Sequence, residues 1–292
     1  MNIKKLIAVT LSAATFALSL TACGGKSSDS SAGSSSAAES TTVKLGVVGS
    51  IYEDLWKPAQ ESLKAEGIDL EIVQFSDYAT PNNALNSGDI DLNAFQHQIY
   101  LDNEVEQQGY KIQSIGYTFI IPLNIYSHKV KAISDIKDGD VVAIPDDVTN
   151  GGRAIKVLAA AGLITLKEDA GFNPTLEDIK TYNTKITIKE LKANTIPSVL
   201  DDVTAAVVNG NYALDFGLKT DEAIYKDSVL DEEKYWNLIA ARTEDLQDKD
   251  KVAVYQKVIK AFQSDATEKV FNDTLGGYFI KVVWDQDLLA SK

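Results

Sequence analysis

Short β-rich apolar runs alternate along this chain with stretches whose apolar residues recur at every third or fourth position. Val43-Lys44-Leu45-Gly46-Val47-Val48 reads as a strand ending at Gly49-Ser50, and residues 70–75 alternate as a strand does. Between them, residues 53–65 read as a helix stopped by Gly67. Thr80-Pro81 opens a short helix to residue 86, residues 90–95 read as a strand, and residues 100–108 as a helix ended by Gly109. Residues 110–126 are β-prone and interrupted by Pro122, and residues 141–144 form a buried strand by their β-branched content. Helices over 153–161 and 196–202 then alternate with strands at 184–191 and 205–208. Residues 249–263 are amphipathic, with Val252, Tyr255, Val258, Ile259 and Phe262 on one face.

Such alternation predicts α/β sheets with crossover helices, and 292 residues is about two domains. Residues 118–123 and 236–241 are apolar extended runs flanked by polar segments. Each reads either as a connection crossing between two lobes or as an ordinary buried strand. If both cross, lobe 1 takes residues 43–120 plus 238–292 and lobe 2 takes 121–237.

The N-terminus is a different kind of polymer. Lys4 and Lys5 precede an apolar run over residues 6–20, closed by Leu20-Thr21-Ala22-Cys23. This reads as an export signal over residues 1–22. The run is shorter than the roughly 20 residues a spanning helix needs, which weighs against a transmembrane anchor. Residues 24–42 hold eight Ser and three Gly. They lack the apolar area to offset ordering entropy, so residues 23–42 read as Cys23 followed by a flexible tether of about 25 Å.

Removing the signal leaves 26 basic against 42 acidic side chains. A surface this acidic repels a phosphate backbone, so nucleic acid is not an expected partner. One Cys excludes a disulfide framework, and His97 and His128 lie far apart with no third soft ligand, so neither a metal nor a cofactor is expected. The nucleophile-elbow, zincin, phosphate-loop and dinucleotide-binding motifs are missing, which argues against an enzyme.

Three segments carry candidate chemistry. Thr149-Asn150-Gly151-Gly152-Arg153 follows a predicted strand and opens a predicted helix. Free N–H groups at a helix start favour an anion, Gly permits close approach, and Arg153 can pair bidentately with a carboxylate. The plainer reading is a Gly-rich turn with a surface Arg. Tyr78, Phe95, His97 and Tyr100 read as rings walling an apolar slot, where a thioether sulfur gains about 0.3–1.5 kcal/mol per ring contact, or as a core aromatic cluster with a satisfied His. Asn209 and Asn211, in Asn209-Gly210-Asn211-Tyr212-Ala213, offer amides that suit both ends of a zwitterion, or mark a turn.

Taken together, SDYATPNNAL, GDIDLNAFQHQIYLD, AIPDDVTNGGRA, AAVVNGNYA and YWNLIAAR, in that order behind L-T-A-C, resemble the methionine-binding lipoproteins of the MetQ/NlpA family. The resemblance runs from residue 43 to the mid-270s. It implies a two-lobed periplasmic-binding-protein-like (type II) α/β fold with two crossing hinge strands and a ligand cleft between the lobes. It implies lipid on Cys23, attachment to the extracytoplasmic face of the cell membrane, and delivery of ligand to an ABC permease with its ATPase. Residue by residue, Arg153 would hold the ligand α-carboxylate, helped by Asn150. Asn209 and Asn211 would bond the amino-acid backbone, and Tyr78, Phe95, His97 and Tyr100 would enclose the side chain. The implied ligand is methionine, with another amino acid or a methionine-containing dipeptide as the alternative. A surface adhesion lipoprotein with an unused cleft is the alternative from another class.

Overall fold

The structure, a computed structural model, describes residues 40–286 together with 288 and 289. The export signal, Cys23 and all but the last residues of the tether lie outside the described residues. The chain enters through β1 (Thr41–Val48), α1 (Ile51–Ala65), β2 (Ile68–Phe75), α2 (Pro81–Ser87), β3 (Leu92–Asn93), α3 (Gln98–Gln108) and β4 (Ile112–Tyr117). It continues through β5 (Phe119–Ile120), β6 (Asn124–Tyr126), β7 (Val141–Pro145), α4 (Val148–Ala160), β8 (Ile164–Leu166), β9 (Ile179–Tyr182), β10 (Thr187–Leu191), β11 (Ala205–Val208) and α5 (Gly210–Asp215). It ends with β12 (Leu238–Arg242), α6 (Lys249–Phe262), α7 (Asp265–Asp273) and β13 (Ile280–Lys281).

Two larger sheets organise the described residues, one ordered β2-β1-β3-β12-β4 and the other β10-β7-β11-β6. β1 pairs with β2 and β3 in parallel, and β7 with β10 and β11 in parallel. Each parallel set is then joined by an antiparallel strand, β12 beside β3 and β6 beside β11. In open α/β sheets a ligand cleft lies outside the carboxyl ends of the parallel strands, so this topology fixes where a site can form.

The chain leaves the first sheet at β4 and reaches the second at β6, so residues 118–123 pass from one to the other. The C-terminal β13 pairs antiparallel with β5 in this connection, and the Trp284 indole N–H donates to the Thr118 carbonyl at 2.6 Å. The return runs through residues 236 and 237 into β12, a strand with neighbours on both sides in the first sheet. The apolar run at 236–241 therefore consists of a short approach followed by an internal strand.

Packing explains the helices. Tyr52, Leu55, Trp56, Ala59 and Leu63 are the buried face of α1, at helical spacing. Trp56 meets Phe262 of α6 with ring centroids 4.4 Å apart. Burying each such side chain is worth roughly 1.5–3 kcal/mol. Gly109 ends α3 with φ at 71°, a left-handed conformation that costs glycine nothing.

The structure moves several expected boundaries. β1 begins at Thr41, which pairs with Ile68, so the tether loses its last two residues to the sheet. The strand expected over 90–95 narrows to Leu92–Asn93. α4 starts at Val148, five residues before the expected start, because Asp147 caps it by accepting from the Asn150 N–H at 2.9 Å. The expected turn after Val208 is α5. The β8–β9 pair and α7 had no sequence-level counterpart.

Candidate functional site

Between the carboxyl ends of β1, β3, β7 and β11 lies a partly open cavity. Its lining includes Tyr78, Phe95, His97, Tyr100, Asn150, Arg153, Asn209 and Asn211, so the eight residues singled out in the sequence converge on one space. Tyr52, Gln96, Ile121, Leu123 and Asn237 also line it, and sequence reasoning had not singled them out.

The aromatic wall comes from the β2–α2 loop and the β3–α3 junction. Tyr78 stacks over Phe95 with centroids 6.0 Å apart, and Phe95 meets Tyr100 edge-on at 6.0 Å. The Tyr100 hydroxyl donates to the Tyr78 carbonyl at 3.0 Å, and the Tyr78 hydroxyl to Asn211 Oδ1 at 2.5 Å. Asn211 Nδ2 in turn donates to the Val48 carbonyl at 3.1 Å. Both ends of the Asn211 amide are thus engaged, which makes this residue a strut between α5 and the end of β1.

His97 caps α3: its Nδ1 accepts the Tyr100 N–H at 3.2 Å. The proton of the neutral ring therefore sits on Nε2, which donates to Asn150 Oδ1 at 3.2 Å. Burial, and then the nearby Arg153 guanidinium, push the imidazole down to about 4 and keep it uncharged at neutral pH. Among the described residues no group of three His, Cys, Asp or Glu side chains is placed to hold a metal ion.

The polar wall comes from α4 and the end of β11. Asn150 Nδ2 donates to both carboxylate oxygens of Asp147 at 3.1 Å, and its Oδ1 accepts from Asn209 Nδ2 at 2.9 Å. Arg153 is 5% exposed, and Nη2 donates to Asp227 Oδ2 at 2.7 Å and to the Ile121 carbonyl at 3.1 Å. Its guanidinium carbon lies 4.5 Å from the centre of the Tyr235 ring. Asp227 and Tyr235 carried no local signal in the sequence, since they reach Arg153 from more than seventy residues away. Arg153 is therefore a buried, oriented side chain, unlike the surface Arg of the plainer sequence reading.

The glycines at 151 and 152 have a different role from the one their sequence suggests. A Cβ on Gly151 would stand 2.8 Å from the Pro145 carbonyl oxygen, and one on Gly152 would stand 2.8 Å from Cα of Asn173. They let α4 press against its own backbone surroundings. The Asp147 carboxylate already occupies the start of this helix, so side chains rather than free backbone N–H groups offer the anion-binding capacity here.

Two features of this cavity stand out chemically. Arg153 Nε is a buried donor with no acceptor, and Asn209 Oδ1 is a buried acceptor with no donor. Of the seven buried side-chain polar atoms without partners among the described residues, these two belong to residues that line the cavity. Leaving such atoms unpaired costs roughly 1–3 kcal/mol each. A ligand carrying an acceptor and a donor would recover that cost.

Comparison with known proteins agrees with this architecture. The family model described as NlpA lipoprotein matches residues 43–283. The chain belongs to the NlpA lipoprotein family. It is 42% identical over 240 residues to the D-methionine-binding lipoprotein MetQ of Salmonella typhimurium, covering 79% of this chain and 86% of the relative. A nutrient-binding protein from Burkholderia cenocepacia, solved bound to methionine, superposes with a TM-score of 0.75 at 39% identity, covering 82% of this chain and all of the other. The substrate-binding protein of a methionine transporter from Streptococcus pneumoniae gives a TM-score of 0.79 at 32% identity, covering 83% and 96%. This chain thus shares the α/β fold of these substrate-binding proteins.

Proposed function

We propose that this protein captures methionine in the cavity and delivers it to a membrane permease driven by an ATPase. The observation that carries the reading is the pair of unsatisfied atoms on two residues that line the cavity: Arg153 Nε suits a carboxylate and Asn209 Oδ1 an ammonium. Arg153 pairs with the ligand carboxylate. Asn209, held by Asn150, accepts from the amino group. Tyr78, Phe95 and Tyr100 surround the thioether, whose sulfur gains from ring edges. The names of the relatives favour methionine over other zwitterions.

The two sheets form the cores of two lobes, residues 43–120 with 238–292 and residues 121–237, which close on the ligand because the closed state alone makes both sets of contacts. Lipid on Cys23 and the Ser-rich tether hold the body at the extracytoplasmic membrane face, consistent with the description of the family as lipoproteins. Mass spectrometry of the small molecule released when the purified protein is denatured tests the reading. Methionine is the expected species. Another amino acid or a methionine dipeptide would reassign the ligand. An empty protein whose tryptophan fluorescence ignores every amino acid would favour an adhesion role.

A further inference from the structure

The hydrogen-bond polarity of the polar wall is forced from both ends. At one end Asp147 presents a carboxylate, which only accepts, so the Asn150 amide turns its NH2 toward it, 3.1 Å from each oxygen. Asn150 Oδ1 then faces the other way. At the other end the Tyr100 backbone N–H occupies His97 Nδ1, so Nε2 must be the donor, and it meets the same Oδ1. The second lone pair of that oxygen takes Asn209 Nδ2 at 2.9 Å. One hydrogen of the Asn209 NH2 is committed to that bond, and its own Oδ1 is left as an acceptor without a donor, in a side chain more than nine-tenths buried. Asn and Gln orientations are set by such networks, and each alternative orientation here sets acceptor against acceptor or donor against donor.

We infer that Asp147 is a positioning residue: acting through Asn150, it fixes Asn209 as an obligate acceptor and makes the site select ligands with a donor on the carbon next to the carboxylate. This rests on the methionine reading and extends it to a substrate class. 2-Amino acids qualify, 2-hydroxy acids qualify more weakly through their O–H, and 2-oxo acids are rejected because they bring a second acceptor. Asp147 is suited to the role by geometry. Its Oδ1 also accepts from the Asn150 N–H at 2.9 Å and from Thr149 Oγ1 at 3.1 Å, so the carboxylate is itself held in one orientation. Among the described residues no other carboxylate bonds the Asn150 amide.

The test compares methionine with its 2-hydroxy and 2-oxo acid analogues by calorimetry on the ligand-free full-length body. The two acids carry the same charge and differ in donor against acceptor, so their ratio isolates the polarity at Asn209. The wild type is expected to bind the hydroxy acid at least about tenfold tighter than the oxo acid, since sites built to bond an N–H or O–H discriminate strongly against analogues that lack one. Asp147→Asn supplies both a donor and an acceptor and removes one of the two constraints, leaving the His97 Nε2–H, so the ratio is expected to fall below the wild-type value. Asp147→Ser keeps an oxygen to cap α4 and is expected to do the same if the first variant folds poorly. Equal binding of the two acids by the wild type overturns the polarity assignment. An unchanged ratio in a folded Asp147 variant overturns the role of Asp147. Failure of methionine itself to bind overturns the underlying reading, and this inference with it.

Discussion

On the polar wall, Asn150, Arg153 and Asn209 are fixed by directional bonds of 2.7–3.1 Å that end on carboxylates and carbonyls. On the aromatic wall, Tyr78, Phe95 and Tyr100 hold one another through ring contacts of about 6 Å with few directional bonds. The first wall has essentially one arrangement of donors and acceptors. The second is a surface that tolerates rotation and substitution. Recognition of the two invariant ends of an amino acid belongs on the rigid wall, and accommodation of a flexible side chain on the other. The difference also predicts unequal sensitivity to mutation.

The strongest way to expose that inequality is to break the Arg153–Asp227 pair. Arg153→Met leaves Asp227, whose side chain is 2% exposed, as a buried charge without its partner. A loss of about 3–5 kcal/mol in folding stability is expected, with methionine affinity reduced at least about 30-fold. The double variant Arg153→Met/Asp227→Leu should recover most of the stability and none of the affinity. Chemical denaturation and calorimetry separate the two effects. Recovery of binding in the double variant would contradict the role given to Arg153.

A smaller effect should appear where the walls meet. His97 is held neutral by burial and Arg153, with its folded-state value at about 4 against about 6.5 unfolded. Because the unfolded chain takes up the proton first, stability is complete above about pH 6.5 and is lost as the pH falls toward about 4. The loss is up to about 3 kcal/mol. Melting curves across this window should show the drop, and His97→Gln should flatten the part due to this group. The smallest effect is expected on the aromatic wall. Phe95→Leu removes ring contacts worth about 0.5–1.5 kcal/mol and should weaken methionine by about two- to tenfold. A loss as large as that for Arg153 would erase the distinction between the walls.

The parts of this molecule that local pattern specifies could be read in the chain. The run at 205–208 is a strand whose apolar residues are buried on both faces, the runs at 43–48 and 70–75 are strands in which exposed Lys44, Glu71 and Gln74 interrupt apolar positions, and the 249–263 periodicity became α6. The candidate residues were legible because they sit in short segments at strand ends, where a site must form in this topology. What was not legible depends on long-range partners. Nothing near Asp227 or Tyr235 announces that they clasp Arg153, and nothing near Asn173 explains why residue 152 must be Gly. The start of α4 was misplaced because Gly-Gly argues against a helix on propensity, whereas here Asp147 caps the helix and tight packing requires both glycines. The run at 236–241 divides between approach and internal strand because both demand the same apolar, extended residues.

The central claim is that the polar wall grips a carboxylate and an amino group on one small ligand. The most direct measurement removes one of those groups from the ligand and leaves the protein untouched. In calorimetric titrations of the ligand-free protein, methionine should bind, while its decarboxylated amine, which keeps the thioether and the ammonium, should bind at least about 100-fold more weakly, because Arg153 Nε then stays buried and unpaired. Binding of the amine within a few-fold of methionine would contradict the account.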